Sequence, residues 1–136
     1  AWVESDYADM TFWRALRSGS FSSIMKMGMK MAKSAMKMQT IFEPLEQERR
    51  KNMSGRKYIY LIIIGVASNF QDKGYGKKLL EALIEESKQK GVSIYTETTT
   101  EKNINMYKGL GFTPFKQVIL PVVNLPQWGM VRETSK

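Results

Sequence analysis

Cysteine and histidine are both absent from this chain. Without cysteine there is no disulfide framework and no thiol nucleophile. Without histidine the commonest general base and the commonest metal ligand are gone, so no metal site is expected. Only 4 of the 136 residues are proline. Two of them, Pro121 and Pro126, bracket Val122 to Leu125 and mark a loop or a sheet edge. Long hydrophobic runs are lacking too. The longest, Tyr58 to Ala67, falls well short of the ~20 residues a membrane-spanning helix needs. The opening residues carry no secretory signal pattern, and a cytoplasmic location is expected. Acidic residues are in deficit, 13 against 21 lysines and arginines, for a formal net charge of +8.

The rest of the composition is that of a globular protein. Hydrophobic residues make up 43% and aromatics 11%, with a mean hydropathy of -0.35. A chain this long can bury a real core. No internal repeat or low-complexity linker divides it, so one domain over 1–136 is expected, with a helical region at 1–53 and a core at 58–133.

Periodicity supplies the elements. Ile24, Met27, Met31, Ala35, Met38, Phe42 and Leu45 follow a helical repeat, and Lys26, Lys30, Lys33 and Lys37 form a second stripe. This reads as one amphipathic helix, or as two broken near Glu43-Pro44. A core-facing methionine stripe with solvated lysines explains it most simply. Beyond it we expect strand 58–67, helix 75–90, strand 92–98, helix 102–110, strand 112–119 and a last strand near Trp128 to Glu133. Ala1-Trp2-Val3 reads as the end of a strand.

The richest segment joins the first long strand to the second helix. It reads Val66-Ala67-Ser68-Asn69-Phe70-Gln71-Asp72-Lys73-Gly74-Tyr75-Gly76-Lys77-Lys78. A helix begins with unpaired N–H groups and partial positive charge, which suits an anion. Glycines let the backbone come close to one. Lys73, Lys77 and Lys78 add positive charge where a helix does not favour it, a conflict that a bound anion resolves. The Walker spacing is absent, and Leu79 stands where a dinucleotide fingerprint needs its third glycine.

Gln71-x-x-Gly74-x-Gly76 after a strand ending in Val66 resembles the acetyl-coenzyme A (acetyl-CoA) pyrophosphate loop of the GNAT acetyltransferase superfamily. Asn103, Tyr107 and Gly111-Phe112, which follow one strand later, resemble the second half of the same signature. The resemblance covers roughly Tyr58 to Glu133. It implies an α/β (α+β) fold with a central mixed, mostly antiparallel sheet flanked by helices. There is little room ahead of residue 24 for the family's first strands, which would be missing or shortened.

The resemblance also implies a chemistry. An amine, from a small molecule or a peptide, attacks the thioester of acetyl-CoA directly while both substrates are held together. Val66 would polarise the thioester carbonyl through its backbone N–H. Ala67, Ser68, Gln71, Asp72, Lys73, Gly74, Tyr75, Gly76 and Lys77 would hold the cofactor. Asn103 would contact its pantetheine arm, and Tyr107 would protonate the leaving thiolate. Glu97 is the first candidate for the general base, with Glu43, Glu46 and Glu48 behind it; the strand 58–66 carries no acidic residue. Helices ahead of the cofactor strand would line the acceptor side, and terminal strands of the family often pair in homodimers.

Two other readings stay open. A catalytically silent CoA-binding or sensor domain would keep the glycine loop without an acceptor pocket. A nucleic-acid-binding module would use the lysine stripe, but no readout motif accompanies it and no aromatics interleave with the lysines. No nucleic acid or membrane partner is expected.

Overall fold

The computed structural model describes residues 1–8, 28–71 and 73–134; in the first long helix, side chains are described at Lys37 and from Thr40 onward. In chain order the elements are β1 (Trp2–Glu4), α1 (Ser5–Ala8), α2 (Gly28–Met53), β2 (Tyr58–Leu61), a 3-10 turn (Ser68–Phe70), α3 (Tyr75–Lys90), β3 (Ser93–Thr98), α4 (Glu101–Gly109), β4 (Thr113–Leu120) and β5 (Leu125–Arg132). One five-stranded sheet runs in the order β1-β2-β3-β5-β4. Among the described strands only β2 and β3 are parallel; the other three pairs are antiparallel. This is the mixed, mostly antiparallel sheet flanked by helices that the resemblance implied.

The pleat sorts the side chains of the middle strands. Ile59, Leu61 and Ile94 face α3 and α4, where they pack with Leu80, Leu83, Ile84, Ile104, Tyr107, Phe112 and Met130. Tyr58, Tyr60 and Tyr95 face the other way, against Met53 of α2 with Phe115 and Val131. Each fully buried aliphatic side chain in the first cluster contributes about 1.5–3 kcal/mol. Helix α3 spans the residues expected of it and stops at Gly91, whose φ of 63° is left-handed.

Two expectations about the elements need correction, and a third had left two alternatives open. Strand β2 ends at Leu61 instead of running to Ala67. The N–H groups of Ile62 and Ile63 both turn to the carbonyl of Ala1, at 3.2 Å each, which ends the regular ladder. The last strand begins at Leu125, earlier than its sequence suggests, because it closes a hairpin on Leu120. The turn between them puts Val122 at φ 73° and Asn124 at φ 49°. Helix α2 is continuous through Pro44, which forgoes one backbone hydrogen bond inside it. Ile24, Lys26 and Met27 lie outside the described residues, as do the side chains of Lys30, Met31, Lys33, Ala35 and Met38. No helix among the described residues is long and apolar enough to cross a membrane.

Arg49 fastens α2 to the sheet. It is only 1% exposed. Its guanidinium donates to the Tyr58 hydroxyl at 2.5 Å and to Glu46 at 2.5 Å, and it lies 5.2 Å from the centre of the Tyr60 ring. A charge this deep is tolerated because it is paired and hydrogen-bonded. Replacing Arg49 with Ala should therefore cost about 3 kcal/mol, read by urea unfolding. Arg49→Lys should recover only part of this, since an ammonium lacks the planar fork that reaches two partners.

Candidate active site

The parting of two strands places the site. The parallel ladder runs from Tyr58↔Ser93 to Leu61↔Thr96 and stops. β3 continues to Thr98, paired among the described residues only with β5 on its other edge. At the last rung the Thr96 hydroxyl donates to the Leu61 carbonyl at 3.1 Å. Beyond it, residues 62–67 leave β3 and run to the glycine loop. The loop is tied locally. The Gln71 side-chain amide donates to the Val66 carbonyl at 3.1 Å, and the Lys73 ammonium donates to the Asn69 carbonyl at 3.0 Å. Phe70 and Tyr75 meet edge to face at 5.7 Å. Gln71 thus shapes the loop through its own backbone. Asp72 lies outside the described residues.

The loop ends at the N-terminus of α3, and its two glycines are explained differently. Gly74 has a φ of 78°, a left-handed conformation that glycine adopts freely. Gly76 has no such need. A Cβ there would meet only the Val66 side chain, at an ordinary 3.8 Å. The fold therefore leaves the space above Gly76 open, as a backbone approached by a phosphate requires. The first intrahelical bond is made by Lys78 N–H to the Gly74 carbonyl at 3.1 Å, which leaves the N–H groups of Tyr75, Gly76 and Lys77 pointing out of the helix end. No acidic residue occupies the first turn. Lys77 is drawn to Glu81 at 3.8 Å, an exposed pair worth little. Free amides, an open backbone and three lysines fit the pyrophosphate of coenzyme A. Among the described residues no group accepts the N–H of Val66 or Ala67, so both are available as donors at the mouth of the gap.

Glu97 sits on the α2 face of β3 and is not a solvent-facing strand residue. Its carboxylate accepts from the Tyr95 hydroxyl at 2.7 Å, the Tyr60 hydroxyl at 2.9 Å and the Gln127 amide at 3.4 Å. Burial pushes its pKa up; the tyrosine hydrogen bonds and then Arg49 pull against that without cancelling it. A carboxyl raised in this way holds its proton more tightly in the folded than in the unfolded chain. Its contribution to stability is therefore full below the unfolded pKa and is lost as pH rises through the folded one. The two tyrosine hydroxyls are pushed far up by burial and the nearby carboxylate, and they stay protonated donors.

Beside Glu97 lies a cavity of about 270 Å³ between α2 and the sheet. Phe42, Leu45 and Ile62 form its apolar wall, and Glu46, Glu97 and Gln127 its polar one. Of the other acidic candidates, Glu43 accepts from Gln47 and Glu48 from Asn52 along the exposed side of α2, away from this cavity.

Tyr107 lies on the opposite face of the sheet. Its side chain is buried, with its ring 5.2 Å from that of Phe112. Burial raises its pKa, and a hydrogen bond with Thr96 partly offsets the rise. Thr96 is the residue at the last rung, and Glu97 follows it. The two sequence-derived catalytic candidates therefore flank the same point of β3 from opposite faces, where the strands part. Asn103 is exposed one turn earlier on α4, with its N–H capped by the Thr100 hydroxyl at 3.3 Å; it does not share the burial of Tyr107. Reading the sequence alone missed Tyr60, Tyr95 and Gln127. The alternation Tyr58-Ile59-Tyr60-Leu61 was the available signal, because it puts hydroxyls on one face and aliphatics on the other.

Comparison with known proteins identifies the family. Residues 40–112, more than half of the chain, match the Acetyltransferase (GNAT) family. The chain belongs to that family. An uncharacterized N-acetyltransferase of Schizosaccharomyces pombe is 36% identical over 76 residues, 54% of this chain and 31% of that protein. The chain thus spans about a third of the curated relative it matches. Among solved structures, the ribosomal-protein-S18-alanine N-acetyltransferase of Escherichia coli aligns with a TM-score of 0.52 and 26% identity, covering 58% of this chain and 56% of that one. The NatC complex bound to Gag peptide and CoA aligns with a TM-score of 0.54 and 23% identity, covering 60% of this chain and 54% of that one.

The two loop glycines make a paired test. Gly74→Ala should cost about 1–2 kcal/mol, since an L residue is strained at that φ. Gly76→Ala should hold or raise the melting temperature, because alanine is the better helix former. Equal losses at both positions would show that Gly76 serves the fold and not a ligand.

Proposed function

We propose that this chain is an acetyl-CoA-dependent N-acyltransferase that joins an acetyl group to a small-molecule or peptide amine in a ternary complex. The observation that carries the reading is the gap beyond Leu61 and Thr96, with an anion-binding helix end on one side and a carboxylate cavity on the other. Acetyl-CoA would supply an activated acyl carbon and a thiolate leaving group. The chain supplies the rest. The N–H groups of Tyr75, Gly76 and Lys77 bind phosphate, and Lys73 and Lys78 add charge beside them. Val66 N–H, with Ala67 next to it, polarises the acyl oxygen, a use of preorganised donors worth several kcal/mol in comparable sites. Glu97, whose pKa burial raises, takes the proton of the amine, and Tyr60 and Tyr95 orient it. Tyr107, still protonated at neutral pH, serves as the acid for the thiolate. The peptide- and alanine-directed neighbours support a peptide α-amine as one acceptor of this kind.

Calorimetric titration with acetyl-CoA tests the donor half. One site of micromolar affinity is expected, and Gly76→Asp should abolish it by placing a carboxylate where the pyrophosphate would lie. Unchanged affinity would remove the loop from the site.

The pH profile of kcat/KM tests the acceptor half. The rate should climb with pH through the Glu97 pKa, above the ordinary carboxylate range. Glu97→Gln should flatten that limb. Tyr107→Phe should keep the limb and lower the plateau. If acetyl-CoA binds but no amine is acetylated, the chain is a CoA-binding domain without transferase activity.

A further inference from the structure

The cavity on the α2 face has a size and a lining that select among amines. At about 270 Å³ it lies below the ~300–1,000 Å³ that holds a drug-sized ligand, so a group of side-chain size fills it. Its walls are sharply divided. Phe42 and Ile62 are 37% and 48% exposed, and they meet across this one space with Leu45. The charged groups lining it, among the described residues, are Glu46 and Glu97, with no lysine or arginine. Arg49 approaches from beneath but is engaged by Glu46, Tyr58 and the Tyr60 ring. In a chain of net charge +8, the charged side chains that line this cavity are carboxylates only, although Glu46 is also paired with Arg49 at 2.5 Å and with Arg50 at 3.6 Å.

Resting on the acetyl-transfer reading proposed above, we infer that the acceptor is a primary amine, arriving as its ammonium ion, that carries one apolar group of side-chain size. Glu46 receives the ammonium at the cavity, and Phe42, Leu45 and Ile62 receive the apolar group. Glu97 then removes one proton to free the nitrogen lone pair. The new N–C bond forms as the C–S bond of the thioester breaks. The second proton lost by the nitrogen ends on the departing thiolate, and the first leaves Glu97 for water. A polyamine would press a second cation against the apolar wall. An amine whose side chain ends in a carboxylate would meet Glu46 and Glu97 with like charge.

Initial rates of CoA release at saturating acetyl-CoA decide the matter, with leucinamide, glycinamide, isoglutamine and spermidine as acceptors. Leucinamide should exceed glycinamide in kcat/KM by roughly 10–200-fold, the usual reach of an apolar pocket. Isoglutamine and spermidine should trail leucinamide. Ile62→Ser and Phe42→Ala should each lower the leucinamide-to-glycinamide ratio without changing the affinity for acetyl-CoA. Both positions are well exposed, so these variants should fold. Glu46→Gln should raise KM for leucinamide more than it lowers kcat, with circular dichroism checking that the loss of the Arg49 partner has not unfolded α2. Preference for glycinamide, isoglutamine or spermidine, or an unchanged ratio in both wall variants, would overturn the inference while leaving the transferase reading intact. Acetyl-CoA binding with no acetylation of any amine would overturn the transferase reading and this inference with it.

Discussion

The end of one parallel ladder organises this molecule. β2 and β3 run side by side only as far as Leu61 and Thr96. A parallel pair buried on both faces is normally continuous, because an interrupted ladder leaves backbone groups without partners. Here the cost is met locally. The Thr96 hydroxyl takes the Leu61 carbonyl, and Ala1 takes the two amides that follow. The chain is then free to run away from β3 and reach the start of α3. Everything proposed as chemistry lies around that fork.

The pleat divides the fork by function. Thr96 faces α4 and meets Tyr107; Glu97 faces α2 and meets Tyr60, Tyr95 and Gln127. One step along β3 thus reverses both the face and the electrostatic character. Positive charge and free amides gather at the α3 end, while carboxylates gather in the cavity against α2. A donor rich in phosphate and an acceptor in ammonium form would be drawn to different sides of one gap, and neither would compete for the other's place.

Much of the fold was legible because the signals were local. Helix α3 begins at glycines, carries a 3.6-residue pattern and stops at Gly91, so its limits could be read directly. The short reach of β2 was not legible. Tyr58 to Ala67 is one apolar, β-prone run, and nothing within it marks where pairing stops; the end is set by Thr96 and Ala1, both remote in sequence. Pro44 left one helix or two open. Its local bias against helix was overridden along α2, whose later turns pack on the sheet through Leu45, Arg49 and Met53. For the site, the glycine loop announced itself as a motif. Glu97 could be named from the sequence, but its three partners come from strands β2, β3 and β5, and only the register brings them together.

Glu46 answers to two masters. It lines the cavity, and it is also the counter-ion of a buried arginine one turn along the same helix. A lineage that drifts toward a new acceptor cannot readily exchange this carboxylate, because the fold would suffer before the new substrate was gained. Phe42 and Ile62 carry no such obligation. Change of acceptor within this architecture would proceed through the apolar wall, with the acidic residue inherited unaltered.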